Sequence, residues 1–304
     1  MSSDVEIRLP AQWITGTALE HALHSLDVCC LGTHIAYRFT LGSKVMVDAG
    51  VRLLSLIHQQ MAAGCTITLD FESELNEALG YLNRAGFFGL LPSMVHILPG
   101  WPDVDAAVNL RGNNSNLVEF RAISPWDRAA VYTIPDVLSA SLAAVTVGRP
   151  DHKTLNGAAH TIFAELIDNI YEHSQSVLDG FAALQVYAGA GNARVVVSDS
   201  GLGLLDTLGP ALAAQAPDLV GRPDREVVRG LFAWGISRHG LHRGLGLQRC
   251  ANLALHCRAT VNLRLSGCNL MFFPEGDTYR AFDVPYPRHA PLSGTHFCFT
   301  IPLD

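Results

Sequence analysis

The sequence predicts a two-domain α/β chain, with an N-terminal α/β domain over residues 1–125 and a C-terminal α/β sandwich over residues 126–304. Three observations lead to that reading. The first ~120 residues alternate short β-type runs with segments of helical spacing, which favours a sheet covered by helices. The second half opens with two helical patterns and continues as strands separated by tight turns. That order predicts helices on one face of a mixed, mostly antiparallel sheet. Between the halves, Pro99, Pro102, Gly112, Asn113, Asn114, Pro125 and Pro135 interrupt any regular element, so a boundary or long connection belongs there. A chain of 304 residues is long enough for two cores of ordinary size.

In the first half, residues 35–39 and 44–47 are short runs of strand type. Over 51–61, Val51, Leu54, Leu56, Ile57 and Met61 recur at mostly helical spacing, and Gly64 stops that helix. Residues 66–71 read as the next strand, and a helix over 75–84 ends at Gly86. In the second half, helices are predicted over 135–147 and 153–174. Strands over 181–187 and 194–198 form a hairpin whose turn is supplied by Ala188, Gly189, Ala190, Gly191 and Asn192. A helix over 245–256, a strand over 259–265 and a last strand over 296–301 complete the domain.

Composition narrows the function classes. Hydrophobic residues make up 49% of the chain and charged residues 16%, which is a globular balance and not a disordered or fibrous one. The formal net charge of −7 disfavours bulk attraction to nucleic acid or to an anionic membrane surface. No apolar run approaches the roughly 20 residues that span a bilayer, and the start lacks the basic and apolar regions of a signal peptide. The seven cysteines contain no CxxC pair and cannot all pair within one chain. They read as free core thiols in a reducing compartment, which predicts a cytoplasmic protein. No GxxxxGK[ST] segment is present, so a P-loop nucleotide site is excluded.

Three short segments carry chemistry. In the first, Ile162, Phe163, Leu166, Ile167 and Ile170 fill one arc of a helix that must face a core. Glu165, Asn169 and His173 line the edge of that arc at i, i+4 spacing. Such a row alone describes the solvated border of any amphipathic helix. As chemistry, the Asn169 amide oxygen suits Mg²⁺, a hard cation, and Glu165 one turn earlier can orient or deprotonate an attacking water. In the second segment, Asp199, Gly201 and Gly203 follow a strand directly, where an ordinary turn is the plain alternative. The Asp199 carboxylate can accept from the exocyclic amine of adenine where guanine presents a carbonyl, and the glycines allow close backbone approach. In the third, Arg243, Gly244, Leu245 and Gly246 open a helix whose free N–H groups and positive dipole end suit phosphates. A simple glycine-containing loop is the plain alternative there.

Together these segments, in this order, resemble the GHKL superfamily of histidine kinases, anti-sigma-factor kinases, gyrase-type topoisomerases and mismatch-repair ATPases. Glu165 and Asn169 match its N box, Asp199, Gly201 and Gly203 its first glycine box, and Gly244 and Gly246 its second. Ser293-Gly294-Thr295 and the strand after them resemble the family's closing strand, which implies that Thr295 sits beside Asp199 near adenine. The resemblance implies Mg²⁺ and ATP as ligands and a mobile lid over about 204–243. Departures from the family include Tyr171 and Glu172 where many relatives carry Lys or Arg, and the presence of only Lys44 and Lys153 in the whole chain. The first half resembles a STAS-like domain of the anti-sigma-factor-antagonist type, through residues 45–50, the helix beginning at Val51, and residues 81–87. Ala49 stands where regulatory STAS domains commonly carry a phosphorylated Ser. The expected function is that of an ATP-binding regulatory protein, with slow hydrolysis coupled to lid closure and to contacts with a partner protein. The alternatives are a serine/threonine kinase of the anti-sigma-factor type and a non-catalytic nucleotide-binding module. A sensor histidine kinase is disfavoured, because no helical hairpin with a phosphoacceptor histidine precedes the second domain.

Overall fold

The computed structural model describes residues 4–26, 31–103, 105–110, 116–173, 175–234, 246–285 and 290–304. In chain order the first half forms β1 (Asp4–Leu9), β2 (Trp13–Ile14), α1 (Gly16–Ala22), β3 (His34–Phe39), β4 (Lys44–Val45) and α2 (Val47–Ala62). It continues with β5 (Thr66–Asp70), α3 (Glu77–Arg84), β6 (His96–Leu98) and the short α4 (Ala106–Leu110). Strands β1, β3, β5 and β6 lie side by side in that order, and every pair is parallel. Parallel neighbours require a crossover, and α1, α2 and α3 supply one each. Ile7, Leu9, Ile35, Tyr37, Phe39, Ile67 and Leu69 alternate inward along these strands and are buried. The opposite face is polar and carries ion pairs such as Arg38 to Glu6 at 3.0 Å.

Helix α2 begins four residues earlier than the apolar spacing predicts. Its first turn contains Asp48, Ala49 and Gly50, which break the hydrophobic period yet are all buried. A helix buried on nearly all sides needs small or paired polar residues wherever a second surface presses close. Gly50 meets that need, since a Cβ there would lie 2.7 Å from the ring of Phe120.

The second half contributes β7 (Leu117–Ile123), α5 (Arg128–Val145), α6 (His152–His173), β8 (Gly180–Tyr187), β9 (Asn192–Ser198), α7 (Leu204–Gln215) and α8 (Asp224–Trp234). Then come α9 (Gly246–His256), β10 (Thr260–Leu265), β11 (Asn269–Glu275), β12 (Thr278–Asp283) and β13 (Thr295–Pro302). Seven strands form one sheet in the order β12-β11-β10-β13-β9-β8-β7, and its pairs are antiparallel throughout, where a mixed sheet was expected. Strand β7 lies within the stretch predicted as an irregular connection. Its Val118, Phe120 and Ile123 are buried, and it forms an edge of this sheet through a register shift between Val118 and Arg121. Helix α5 starts at Arg128 under an Asp127 cap and carries Pro135 inside it, not at its first turn as predicted. An internal proline costs one backbone donor and some ring crowding, which packing against α6 offsets here.

The seven-stranded sheet is covered on both faces. Along β9, Val195 and Val197 belong to the core beneath α5, α6 and α9. Val196, between them, belongs to the core shared with α2 and the parallel sheet. The strand period of two therefore serves two cores at once. Helix α2 lies between the sheets, packed on β5 on one side and on β8 and β9 on the other. Among the described residues no helix is long and apolar enough to cross a membrane.

Candidate functional site

The site grows from two adjacent strand ends. Strand β9 runs antiparallel to β13 with Ser198 opposite His296, so Asp199 leaves one strand beside Thr295 entering the other. The Asp199 N–H donates to the Thr295 carbonyl at 3.0 Å. In return the Thr295 N–H donates to Oδ2 of Asp199 at 3.1 Å, and the Gly201 N–H donates to Oδ1 at 2.7 Å. The buried carboxylate is thus gripped by backbone donors from two segments distant in sequence, which fixes its direction. Two glycines make that grip possible. Gly294 has φ +90, and a Cβ on it would fall 2.2 Å from the Asp199 carbonyl oxygen. Gly203 has φ +88 and would place a Cβ 3.5 Å from the Gly294 carbonyl oxygen. The left-handed region suits glycine at both positions, and at Gly294 the close backbone approach also forbids anything larger. Ser200, 8% exposed, carries a buried hydroxyl oxygen with no hydrogen-bond partner among the described residues.

The Glu165–Asn169 row lies along α6, half-buried at the edge of the apolar arc. The Glu165 carboxylate lies 3.9 Å from the Arg249 guanidinium on α9, with both side chains substantially exposed. Helix α6 approaches the Asp199 end of β9 through Gly180. A Cβ at Gly180 would lie 2.7 Å from the Ser198 carbonyl oxygen and 3.0 Å from Ile170 of α6. Ile170 follows Asn169 and Ser198 precedes Asp199, so this contact brings the two predicted segments together. Gly246 is the first residue of α9. Arg243, Gly244 and Leu245 lie outside the described residues. The segment predicted as a lid contains α7 and α8, and Leu208, Leu219, Val227 and Leu231 give it a small core of its own.

A cleft of about 60 Å³ lies beside the strand ends, lined by Gly203, Leu204, Asp206, Asp224, Ser266 and Gly294 among others. It is smaller than the roughly 300–1,000 Å³ of small-molecule sites. Among the described residues no group of three His, Cys, Asp or Glu side chains could hold a metal ion. Mg²⁺ asks for less than that, since it keeps several waters and takes one or two protein oxygens beside those of a phosphate. The Asn169 amide oxygen is the donor of that type on the predicted row. The cysteines Cys65, Cys250, Cys257, Cys268 and Cys298 are all buried. Burial pushes the Cys250 and Cys298 thiols up to about 12, so neither supplies a thiolate nucleophile.

Directly behind the site, His296 is fully buried. Burial first, then the nearby Arg264 and Arg52, lowers its pKa to about 3, so the ring is neutral. Its Nε2 donates to the Ser293 carbonyl at 2.9 Å, since a carbonyl can only accept. Nδ1 therefore accepts from the Ser198 hydroxyl. Sequence reasoning missed four contributors: Gly180, Ser200, Gly294 and His296. Gly180 stands just before a strand, where a glycine can mark a close backbone approach. Gly294 lies in the closing-strand motif, but nothing in its spacing reveals the contact with Asp199. His296 reads as an ordinary inward strand residue. No family model matches the chain, nor does any curated protein or solved structure.

Proposed function

We propose that the chain is a Mg-ATP-binding regulatory protein with a GHKL-type pocket, in which slow hydrolysis is coupled to lid closure and to contacts with the first half or a partner protein. The observation that carries this reading is the gripped Asp199. A buried carboxylate held by two backbone N–H groups, with Gly294 where a Cβ would collide with the Asp199 carbonyl oxygen, is built to present an acceptor in one direction. Oriented in this way, the carboxylate can accept a charge-assisted hydrogen bond from an adenine amine. The Ser200 hydroxyl offers a second buried polar group in the same loop. Asn169 offers an oxygen to Mg²⁺, which neutralises the triphosphate when bound. Glu165 takes the proton of the attacking water. The sequence segment 243–246, whose last residue Gly246 opens α9, would supply N–H groups to the phosphates.

The test is thermal denaturation with each nucleotide, together with separate measurement of free phosphate and of labelled protein after incubation with labelled ATP. ATP or ADP with Mg²⁺ is expected to raise Tm, and GTP far less, because guanine presents its O6 carbonyl where adenine presents the amine to Asp199. A ligand at a hundredfold excess over its Kd contributes about 2.7 kcal/mol to the folded state. Equal shifts with ATP and GTP would remove Asp199 from base recognition. Label on a partner protein instead of in free phosphate would favour the kinase alternative, and neither product the binding-module alternative.

A further inference from the structure

We infer that α2, an element of the first half, is the positioning element of the nucleotide site, and that Gln59 on its last turns is a positioning residue for Asp199 and Thr295. The inference rests on the reading of Asp199 as base-recognising and adds to it a route by which the first half controls that site.

The route is a stripe of polar side chains along one face of α2. Asp48, Arg52, Ser55 and Gln59 follow at i, i+4, i+7 and i+11, which puts them on a single line of the helix. Every one of them bonds to the second half. Asp48 pairs with Arg194 on β9 at 3.1 Å, and Arg52 donates to Asn262 on β10. Ser55 meets Ser198 at 2.9 Å in a buried contact. Gln59 engages both backbone polar groups of Ser293, donating to its carbonyl at 3.1 Å and accepting from its N–H at 2.8 Å.

The last two contacts close a ring around the site. Ser198 is the residue before Asp199, and Ser293 precedes Gly294 and Thr295. His296 joins them, accepting from the Ser198 hydroxyl and donating to the Ser293 carbonyl. Because Ser198 gives its proton to His296, Ser55 must be the donor to Ser198. Each bond thus has one direction, and the ring Ser55–Ser198–His296–Ser293–Gln59 ties about one turn of α2 to the residues flanking Asp199 and Thr295. The loop before β13 is held at its other end as well. Arg264 donates to the carbonyls of Ala290 and Leu292, at 2.5 and 2.7 Å. Glu20 of α1 accepts from Arg264 and from the Ala290 N–H, at 2.8 and 2.9 Å. Both anchors of the loop that presents Thr295 therefore come from, or run through, helices of the first half.

Gln59 is half-buried and Ser293 exposed, so this end of the ring can be cut without opening a core. The experiment is Gln59→Ala in the full chain, with two readings. The first is the ATP Kd by calorimetry, expected to weaken by about two- to thirtyfold, the range typical of a coupling residue that never touches the ligand. The second is hydrogen exchange of the Thr295 and Gly201 amides without nucleotide, expected to quicken as the grip on Asp199 loosens. Gln59→Glu keeps the acceptor for the Ser293 N–H and should recover part of both effects, which a nonspecific loss of stability would not. If the wild type binds ATP and Gln59→Ala binds it equally well, the inference is overturned. If the wild type binds no ATP, the proposed function falls, and exchange at Thr295 alone decides the inference. Unchanged exchange there would sink it.

Discussion

Replacing Asp199 by Asn changes two things that can be measured apart. In the native protein the buried carboxylate accepts from Gly201 on Oδ1 at 2.7 Å and from Thr295 on Oδ2 at 3.1 Å. Asparagine keeps one oxygen and turns the other into an NH₂ group, which then faces a backbone N–H donor to donor. A buried donor left without an acceptor costs about 1–3 kcal/mol. The variant should therefore be less stable by that amount even without ligand, read as a lower urea midpoint at unchanged slope. ATP affinity should fall at least tenfold, about 1.4 kcal/mol, because the adenine amine loses a charged acceptor. Calorimetry with ATP and GTP on the same preparation supplies the second number. Undiminished stability without ligand would refute the backbone grip. Lowered stability with unchanged ATP affinity would refute the base pocket while leaving the grip intact.

Three further predictions follow from the same geometry. Glu165→Ala should slow hydrolysis by about a hundredfold or more while sparing ATP binding, whereas Asn169→Ala should weaken Mg-dependent binding itself; identical failures in turnover and titration would contradict the division of roles. Gly180→Ala should push α6 away from the end of β9, since its Cβ would be wedged between the Ser198 carbonyl at 2.7 Å and Ile170 of α6 at 3.0 Å, and should lower both Tm and ATP affinity. Unchanged values would show that α6 approaches by another contact. His296 has a folded pKa near 3 against the ordinary 6.5, so the unfolded chain binds the extra proton between those values. Its contribution to stability is complete above about pH 6.5 and is lost as pH falls toward 3, at up to about 1.4 kcal/mol per pH unit. Denaturant titrations of His296→Gln should show a flatter dependence across that window, and an unaltered slope would place the titration elsewhere.

Much of the secondary structure could be read from local pattern. The helices ending near Ala62 and Arg84, the hairpin of β8 and β9, and the strands β10 and β13 follow apolar periodicity and glycine stops, which are properties of neighbouring residues. The motif residues Asp199, Gly201 and Gly203 were visible for the same reason, since their spacing along the chain is short. Thr295 was placed beside Asp199 only through family resemblance. The hairpin of β11 and β12 and the edge strand β7 escaped, the latter amid residues that break regular structure. Strand β7 is defined by its partner β8, and pairing between residues as far apart in sequence as Leu117 and Gln185 leaves no local mark.

What the sequence determined by itself is therefore the class of each segment and the identity of the polar residues available for chemistry. Tertiary structure alone decided which of them meet. Asp48, Arg52, Ser55 and Gln59 break the apolar face of α2 and suggest a solvated edge, yet Asp48, Arg52 and Ser55 are buried because a second sheet covers that face. Arg264, with no exposure, lies inside β10 and finds Glu20 across 244 residues. Gly294 reads as a turn residue until Asp199 arrives against it. The physical reason is common to these cases. Burial of a charge or the absence of a Cβ has meaning only through its partner, and the partner is chosen by the packing of two sheets about one helix.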